Sequence, residues 1–205
     1  MSGPDAVSPD PGGAVFPHLT ATGQARMVDV SAKAVTARTA TAAGRVRLSA
    51  ACVGALRDGS VPKGDALAVA RIAGIQGAKR TSELVPLCHP LSISGVDVTA
   101  EVTDDGVELT ATVRTTDRTG VEMEALTAVS TAALTVVDMI KAIDRAAVIT
   151  DIRVLAKSGG RRGDWTFPEQ GDAPAARPVE SSSSGSVEAP SPEPVENAGR
   201  SEGTP

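Results

Sequence analysis

Hydrophobic and polar positions alternate most strictly between Val96 and Arg114. Val96, Val98, Ala100 and Val102 interleave with Asp97, Thr99, Glu101 and Thr103. After Asp104-Asp105-Gly106, Val107, Leu109, Ala111 and Val113 interleave with Glu108, Thr110, Thr112 and Arg114. Alternation of period two on both sides of an Asp-Gly turn predicts two antiparallel strands with one buried face. The pattern changes on either flank. Gly64 to Lys79 is apolar nearly all round, with Arg71 as its interior charge and Lys79-Arg80 at the end where cations suit a helix dipole. It predicts a helix, and Val121 to about Ile143 predicts a second, longer one. Ile149 to Lys157 reads as a strand. Val35 to Leu48 is a weaker strand, followed by a short helix from Ser49 to Arg57.

Strand, helix, strand, strand, helix, strand is the βαββαβ order of a ferredoxin-like split βαβ subunit. The expected class is α+β, with an antiparallel sheet, two main helices on one face, and an additional N-terminal strand and short helix. The two long helices carry more apolar surface than one sheet face requires, which predicts an oligomer. Glu124 and Asp138 lie fourteen positions apart. An unbroken helix rises about 1.5 Å per residue, so roughly 20 Å would separate them. They cannot touch one small ligand within one chain. Either the helix starts late and folds back, or one pocket borrows opposite ends from two subunits. The apolar surplus favours the shared pocket. On that arrangement an inactive Lys63→Ala chain and an inactive Asp138→Ala chain should complement each other in a mixed oligomer.

Composition narrows the class further. The 205 residues carry a net charge of -5, with no Tyr, one Trp and two Phe. An acidic chain with so few stacking platforms is not expected to bind nucleic acid. Two cysteines, Cys52 and Cys88, make no disulfide framework, and no CxxC spacing points to a metal. Residues 1–16 and 168–205 are rich in Pro, Ser, Gly and acidic residues and are expected to be disordered arms. The folded domain is then 17–167. The N-terminus shows no basic region followed by an apolar one, and the apolar run Ala125–Val137 is too short to span a bilayer. A cytoplasmic protein without membrane partners is the expectation.

Several polar clusters interrupt this bland background. Pro86-Leu87-Cys88-His89-Pro90 holds one of only two histidines between two prolines. Proline fixes its own φ and biases the preceding residue toward extended geometry, so Cys88 and His89 sit in a stiff, non-helical segment. A histidine there can act as acid or base near neutral pH. Met27 to Lys33 sets Asp29 and Lys33 into a strand-like run, with Arg38 downstream. Lys63-Gly64-Asp65 opens the first long helix, where Lys63 could meet a phosphate. Glu122-Met123-Glu124 opens the second, and Asp138 with Lys141 closes it. Lys157-Ser158-Gly159-Gly160-Arg161-Arg162-Gly163 could converge backbone N–H groups on an anion, though it equally suits a solvated basic tail.

Together these segments resemble one family. MVDVSAKAVTART (27–39), KGDALAVARIAGIQGAKRTSELVPLCHPL (63–91), TGVEMEALTAVSTAALTVVDMIKAID (119–144) and LAKSGG (155–160) are similar to the cyclic pyranopterin monophosphate synthases of molybdenum cofactor biosynthesis. The resemblance covers essentially all of 17–167. It implies a lyase that rearranges a cyclised dihydroguanosine triphosphate to the pyranopterin with release of pyrophosphate, without a metal or organic cofactor. It also implies a homohexamer, a trimer of dimers, with sites at dimer interfaces. Carried over position by position, it implies Asp138, Lys63, Lys141 and His89 as catalytic. Leu87, Cys88, His89, Met123 and Glu124 would bind substrate, with Glu122, Arg38, Lys157, Lys33 and Asp29 near the pocket.

The inventory suits the chemistry. A triphosphate needs cations, and ring opening and closure need several proton transfers. The chain departs from the family at Arg162, where a small serine is usual, and at Val137 and Ile140, where tyrosine and cysteine are common. Arg162 bears on the phosphate geometry. A non-catalytic nucleotide-binding ferredoxin-like module is the alternative. It would need the anion loop but not Asp138, His89 and Lys63 together.

Overall fold

The alternating run folds as β2 (Ile93–Val102) and β3 (Gly106–Asp117), and both strands extend past the strict alternation. The computed structural model describes residues 19, 20, 22–161 and 163–168. The chain divides after Pro168 into two units, and every described residue belongs to the first. The expectations for residues 1–16 and for 169–205 lie outside the described residues.

The remaining elements are β1 (Thr36–Arg47), α1 (Ala50–Arg57), α2 (Ala66–Lys79), α3 (Thr81–Leu84), α4 (Glu122–Ile140), β4 (Val148–Ser158) and the two-residue β5 (Trp165–Thr166). Neither α3 nor β5 is predicted from the sequence, because each is too short to show a period. The sheet order is β2-β3-β1-β4-β5. β1 is antiparallel to both β3 and β4, and β2 is antiparallel to β3. β1 and β2 therefore run the same way with β3 between them, and β3 and β4 run the same way with β1 between them. The architecture is α+β with an antiparallel open sheet, consistent with a ferredoxin-like fold.

One face of the sheet builds the core. Ala40, Ala42 and Val46 of β1, Val98 and Ala100 of β2, and Val107, Leu109, Ala111 and Val113 of β3 are buried. They meet Ala125, Ala128, Val129, Ala132, Ala133, Val136 and Ile140 of α4. Full burial of one Val or Leu contributes about 1.5–3 kcal/mol. The small residues let layers approach closely. A Cβ on Gly77 of α2 would come within 2.8 Å of the Cβ of Thr131 on α4. The other sheet face is polar. Thr41 and Thr112 share a hydroxyl hydrogen bond of 2.9 Å, and Arg45–Glu108 and Arg114–Asp97 pair across strands. α4 is long and apolar enough to cross a membrane by composition, but half of that window is buried inside the fold. It is a core helix here.

Three boundaries differ from the sequence pattern. α2 starts at Ala66 rather than Gly64, because Gly64 takes φ +92° and the Asp65 carboxylate caps the Ala68 N–H at 2.9 Å. α4 stops at Ile140 rather than Ile143. There the buried Asp144 carboxylate takes the N–H groups of Ser49, at 2.6 Å, and Ala146, at 2.9 Å, and turns the chain toward α1. No additional N-terminal strand precedes β1 among the described residues, apart from one isolated Leu19–Ala25 bridge. The Met27–Lys33 run is irregular instead, with a turn at Ser31–Lys33. Asp29 accepts the Ser31 N–H at 2.8 Å and Lys33 N–H reaches the Val30 carbonyl at 2.9 Å, bonds that compete with strand pairing.

Candidate active site

The candidate residues gather at the two ends of α4. At its C-terminal end Asp138 is flanked by two ammonium groups. Lys141, one turn on, donates to Asp138 Oδ1 at 2.8 Å. Lys63 reaches across from the turn before α2 and donates to Asp138 Oδ2 at 2.8 Å and to the Asp138 carbonyl at 2.8 Å. The hydrogen bond from Lys141, then that from Lys63, lowers the Asp138 pKa to about 2. The carboxylate therefore stays ionised and holds two cations side by side on an exposed surface. Lys63 meets a carboxylate rather than acting as a lone phosphate ligand. Lys63 and Asp138 also belong to one cluster of one chain, which corrects the expectation that they come from different subunits. The turn Val61–Gly64, closed by a Gly64 N–H bond to the Val61 carbonyl at 3.0 Å, aims Lys63 back at α4.

The N-terminal end of α4 is different in kind. Glu124 stands in its first turn and is only 4% exposed. Burial, with the charge of Glu122 adding to it, raises its pKa from 4.5 to about 7. The same burial, with Glu124 as the neighbouring charge, raises the Cys88 thiol. Cys88 and His89 follow α3, where Cys88 N–H closes a turn onto the Val85 carbonyl at 2.9 Å. His89 Nε2 bonds the Val28 carbonyl oxygen at 2.8 Å. Val30, Ser31, His89, Pro90, Leu91, Asp117 and Arg118 line a cleft of about 370 Å³. Asp29 sits beside it, its pKa lowered chiefly by the Ser31 hydroxyl and N–H, with His89 adding a little.

Arg38 ties this end together. Its Nε donates to the Asp117 carbonyl at 3.0 Å and its Nη2 to the Arg118 carbonyl at 3.1 Å. Its guanidinium lies against Gly160, where any Cβ would collide with it. Lys157, half-buried on β4, is registered with Ala40 of β1 and so belongs to the same end. Glu122 is half-buried at the start of α4, while Met123 and Leu87 are exposed on the surface there. Gly159 and Gly160 take φ of +83° and +79°, which only glycine adopts cheaply. The Gly159 N–H already donates to the Asp164 carboxylate at 3.1 Å, so part of the expected anion loop is filled by the chain itself. Arg162 lies outside the described residues.

α4 runs unbroken over 19 residues. At about 1.5 Å per residue, Glu124 and Asp138 are roughly 20 Å apart, and no fold-back brings them together. One chain thus holds two half-sites: Lys63, Asp138 and Lys141 at one end, and His89, Cys88, Glu124, Glu122, Arg38 and Lys157 at the other. The first can hold an anion, and the second can exchange protons near neutrality. Among the described residues no three of His, Cys, Asp and Glu converge as a metal-binding group. Sequence reasoning missed Asp117, Arg118 and Asp164. The first two break the alternation of β3 just before the quoted Thr119–Asp144 segment, a charged pair where the strand should end.

A family model described as the MoaC family matches residues 27–160, a span that begins beside the His89 cleft and ends at Gly160. A Streptomyces coelicolor protein named cyclic pyranopterin monophosphate synthase is 70% identical over 149 residues, 73% of this chain and 88% of its own length. A Nocardioides sp. protein of the same name is 69% identical over 154 residues, 74% of this chain and 94% of its own. Cyclic pyranopterin monophosphate synthase 2 of Mycobacterium tuberculosis is 63% identical over 149 residues, 73% of this chain and 89% of its own.

Proposed function

The chain belongs to the MoaC family, and from that footing we propose that it is a cyclic pyranopterin monophosphate synthase, a lyase of molybdenum cofactor biosynthesis. It converts the cyclised guanosine triphosphate derivative, (8S)-3',8-cyclo-7,8-dihydroguanosine 5'-triphosphate, to cyclic pyranopterin monophosphate and releases pyrophosphate. One observation carries this reading: relatives of that name match most of their length, and the matched span contains both half-sites.

The roles follow from the chemistry at each end. Lys63 and Lys141, held by ionised Asp138, offer two adjacent ammonium groups to phosphate oxygens. Glu124, with a pKa of about 7, and His89 can take and return protons as the rings open and close. Arg38 and Lys157 add positive charge at the His89 end. Leu87, Cys88, Met123 and Glu122, which stand at the same end, would contact the substrate. No metal or organic cofactor enters this scheme.

The distance between the half-sites supports a pocket completed by a second subunit. We place the active site at a dimer interface of a homohexamer built on the ferredoxin-like split βαβ subunit, with 17–167 as its catalytic domain, working in the cytoplasm. The test is release of pyrophosphate on mixing the purified protein with the cyclised nucleotide. Release with formation of the pyranopterin is expected. Binding without release would make the protein a nucleotide-binding module instead.

A further inference from the structure

We propose that Arg118 is a positioning residue that keeps His89 in its Nε2–H tautomer, so that His89 exchanges protons through Nδ1. The catalytic part of this statement rests on the function proposed above, while the tautomer does not.

The Val28 carbonyl oxygen can only accept a hydrogen bond. At 2.8 Å from it, His89 Nε2 must donate. A neutral imidazole has one N–H, so the lone pair lies on Nδ1. The tautomer is therefore decided by where the Val28 carbonyl sits. Val28 belongs to the turn-rich Met27–Lys33 segment, which has no sheet partner. Its internal bonds, Ser31 N–H to Asp29 and Lys33 N–H to the Val30 carbonyl, shape the turn but do not anchor it to the body of the fold.

Arg118 supplies one such anchor. Its Nε donates to the Lys33 carbonyl at 3.2 Å, and its side chain lines the same cleft as His89. Arg118 is itself fixed at the backbone. Its N–H donates to Asp117 Oδ1 at 2.7 Å, and its carbonyl accepts from Arg38 Nη2 at 3.1 Å. The end of β3 thereby holds one end of the segment while His89 meets the other. Proton transfer at Nδ1 is balanced within the ring. The lone pair takes a substrate proton to give imidazolium, and release of that proton restores the neutral Nε2–H form, with the Val28 bond kept throughout.

The experiment is nitrogen-15 NMR of the histidine rings in the full chain, at a pH about two units above the ordinary imidazole pKa of about 6.5. The chain has two histidines, so a His18→Gln background leaves His89 alone. The unmodified site should show protonated Nε2 and unprotonated Nδ1. Arg118→Ala should give a mixture of tautomers, and Arg118→Lys, which keeps a donor, should recover most of the Nε2–H form. A dominant Nδ1–H ring in the unmodified site would overturn the proposal. So would an Arg118→Ala spectrum unchanged from the parent. A protein that passes this test yet releases no pyrophosphate would defeat the proposed function alone.

Discussion

The two ends of α4 treat the same functional group in opposite ways. At the C-terminal end the Asp138 carboxyl is exposed, held by two lysines, and pulled down to about 2. At the N-terminal end the Glu124 carboxyl is buried and pushed up to about 7. The helix dipole alone would do the reverse, favouring anions at the start and disfavouring them at the end. Its effect is typically about 0.3–1 kcal/mol, less than one pH unit. Burial at one end and direct ammonium contacts at the other are larger, and they decide. One helix therefore offers a fixed anion clamped between cations and, about 20 Å away, a carboxyl poised to exchange protons. A reaction on a triphosphate needs both, and the proposed site completed by two chains would unite them.

The sharpest break in this contrast comes from removing a cation. Lys63→Ala should abolish turnover, by at least the ~10²–10⁴ that one positioned proton-transfer or charge-stabilising group is typically worth. Circular dichroism and sedimentation should be unchanged, because Lys63 is an exposed turn residue. Near-normal pyrophosphate release would remove Lys63 from the site.

Mixed oligomers test the separation itself. Lys63→Ala and His89→Ala chains carry defects in different half-sites, so their mixture should recover part of the lost activity. Lys63→Ala and Asp138→Ala chains share a half-site and should recover none. Rescue by the second mixture, in verified mixed oligomers, would show that the two half-sites are wrongly drawn.

Stability against pH reads out the burial of Glu124. Its folded pKa of about 7 lies above the ordinary 4.5, so the stabilising, protonated form is fully present below 4.5 and is lost as pH rises through about 7. The melting temperature should decline across that window, and Glu124→Gln should flatten the decline. An identical slope in both proteins would mean that Glu124 is not buried as described.

Asp138 should show the opposite and smaller effect. Its folded pKa of about 2 lies below the ordinary 3.8, so its contribution is present above 3.8 and is lost as pH falls through about 2. Asp138→Asn should remove that acid-limb loss. Water screens an exposed pair, which keeps the effect slight. A slope at Asp138 as steep as that at Glu124 would erase the distinction between the two ends.

Much of the scaffold was legible in the residues. Strict alternation around Asp104-Asp105-Gly106 marked β2 and β3, because a sheet with one covered face needs apolar side chains at every second position. The Ala-rich runs marked α2 and α4. The ends were less legible. Asp144 stops α4 by bonding Ser49, a partner far away in sequence, and no local pattern announces such a bond. Met27–Lys33 looked extended from its residue types, but Asp29 turned it locally.

The candidate site divides along the same line. Residue type and order by themselves nominated the candidate side chains: His89 between prolines, the carboxylates of α4, Lys63 before α2 and Lys141 after α4. The length of α4 also determined that Glu124 and Asp138 lie far apart, because helix rise is fixed by backbone geometry. Only the tertiary structure decided that Lys63 closes onto Asp138 in its own chain, that Glu124 is buried while Glu122 is less so, and that Arg118 stands beside His89. Those facts depend on contacts between residues 61 to 85 positions apart, and pKa and tautomer are set by such neighbours rather than by residue identity.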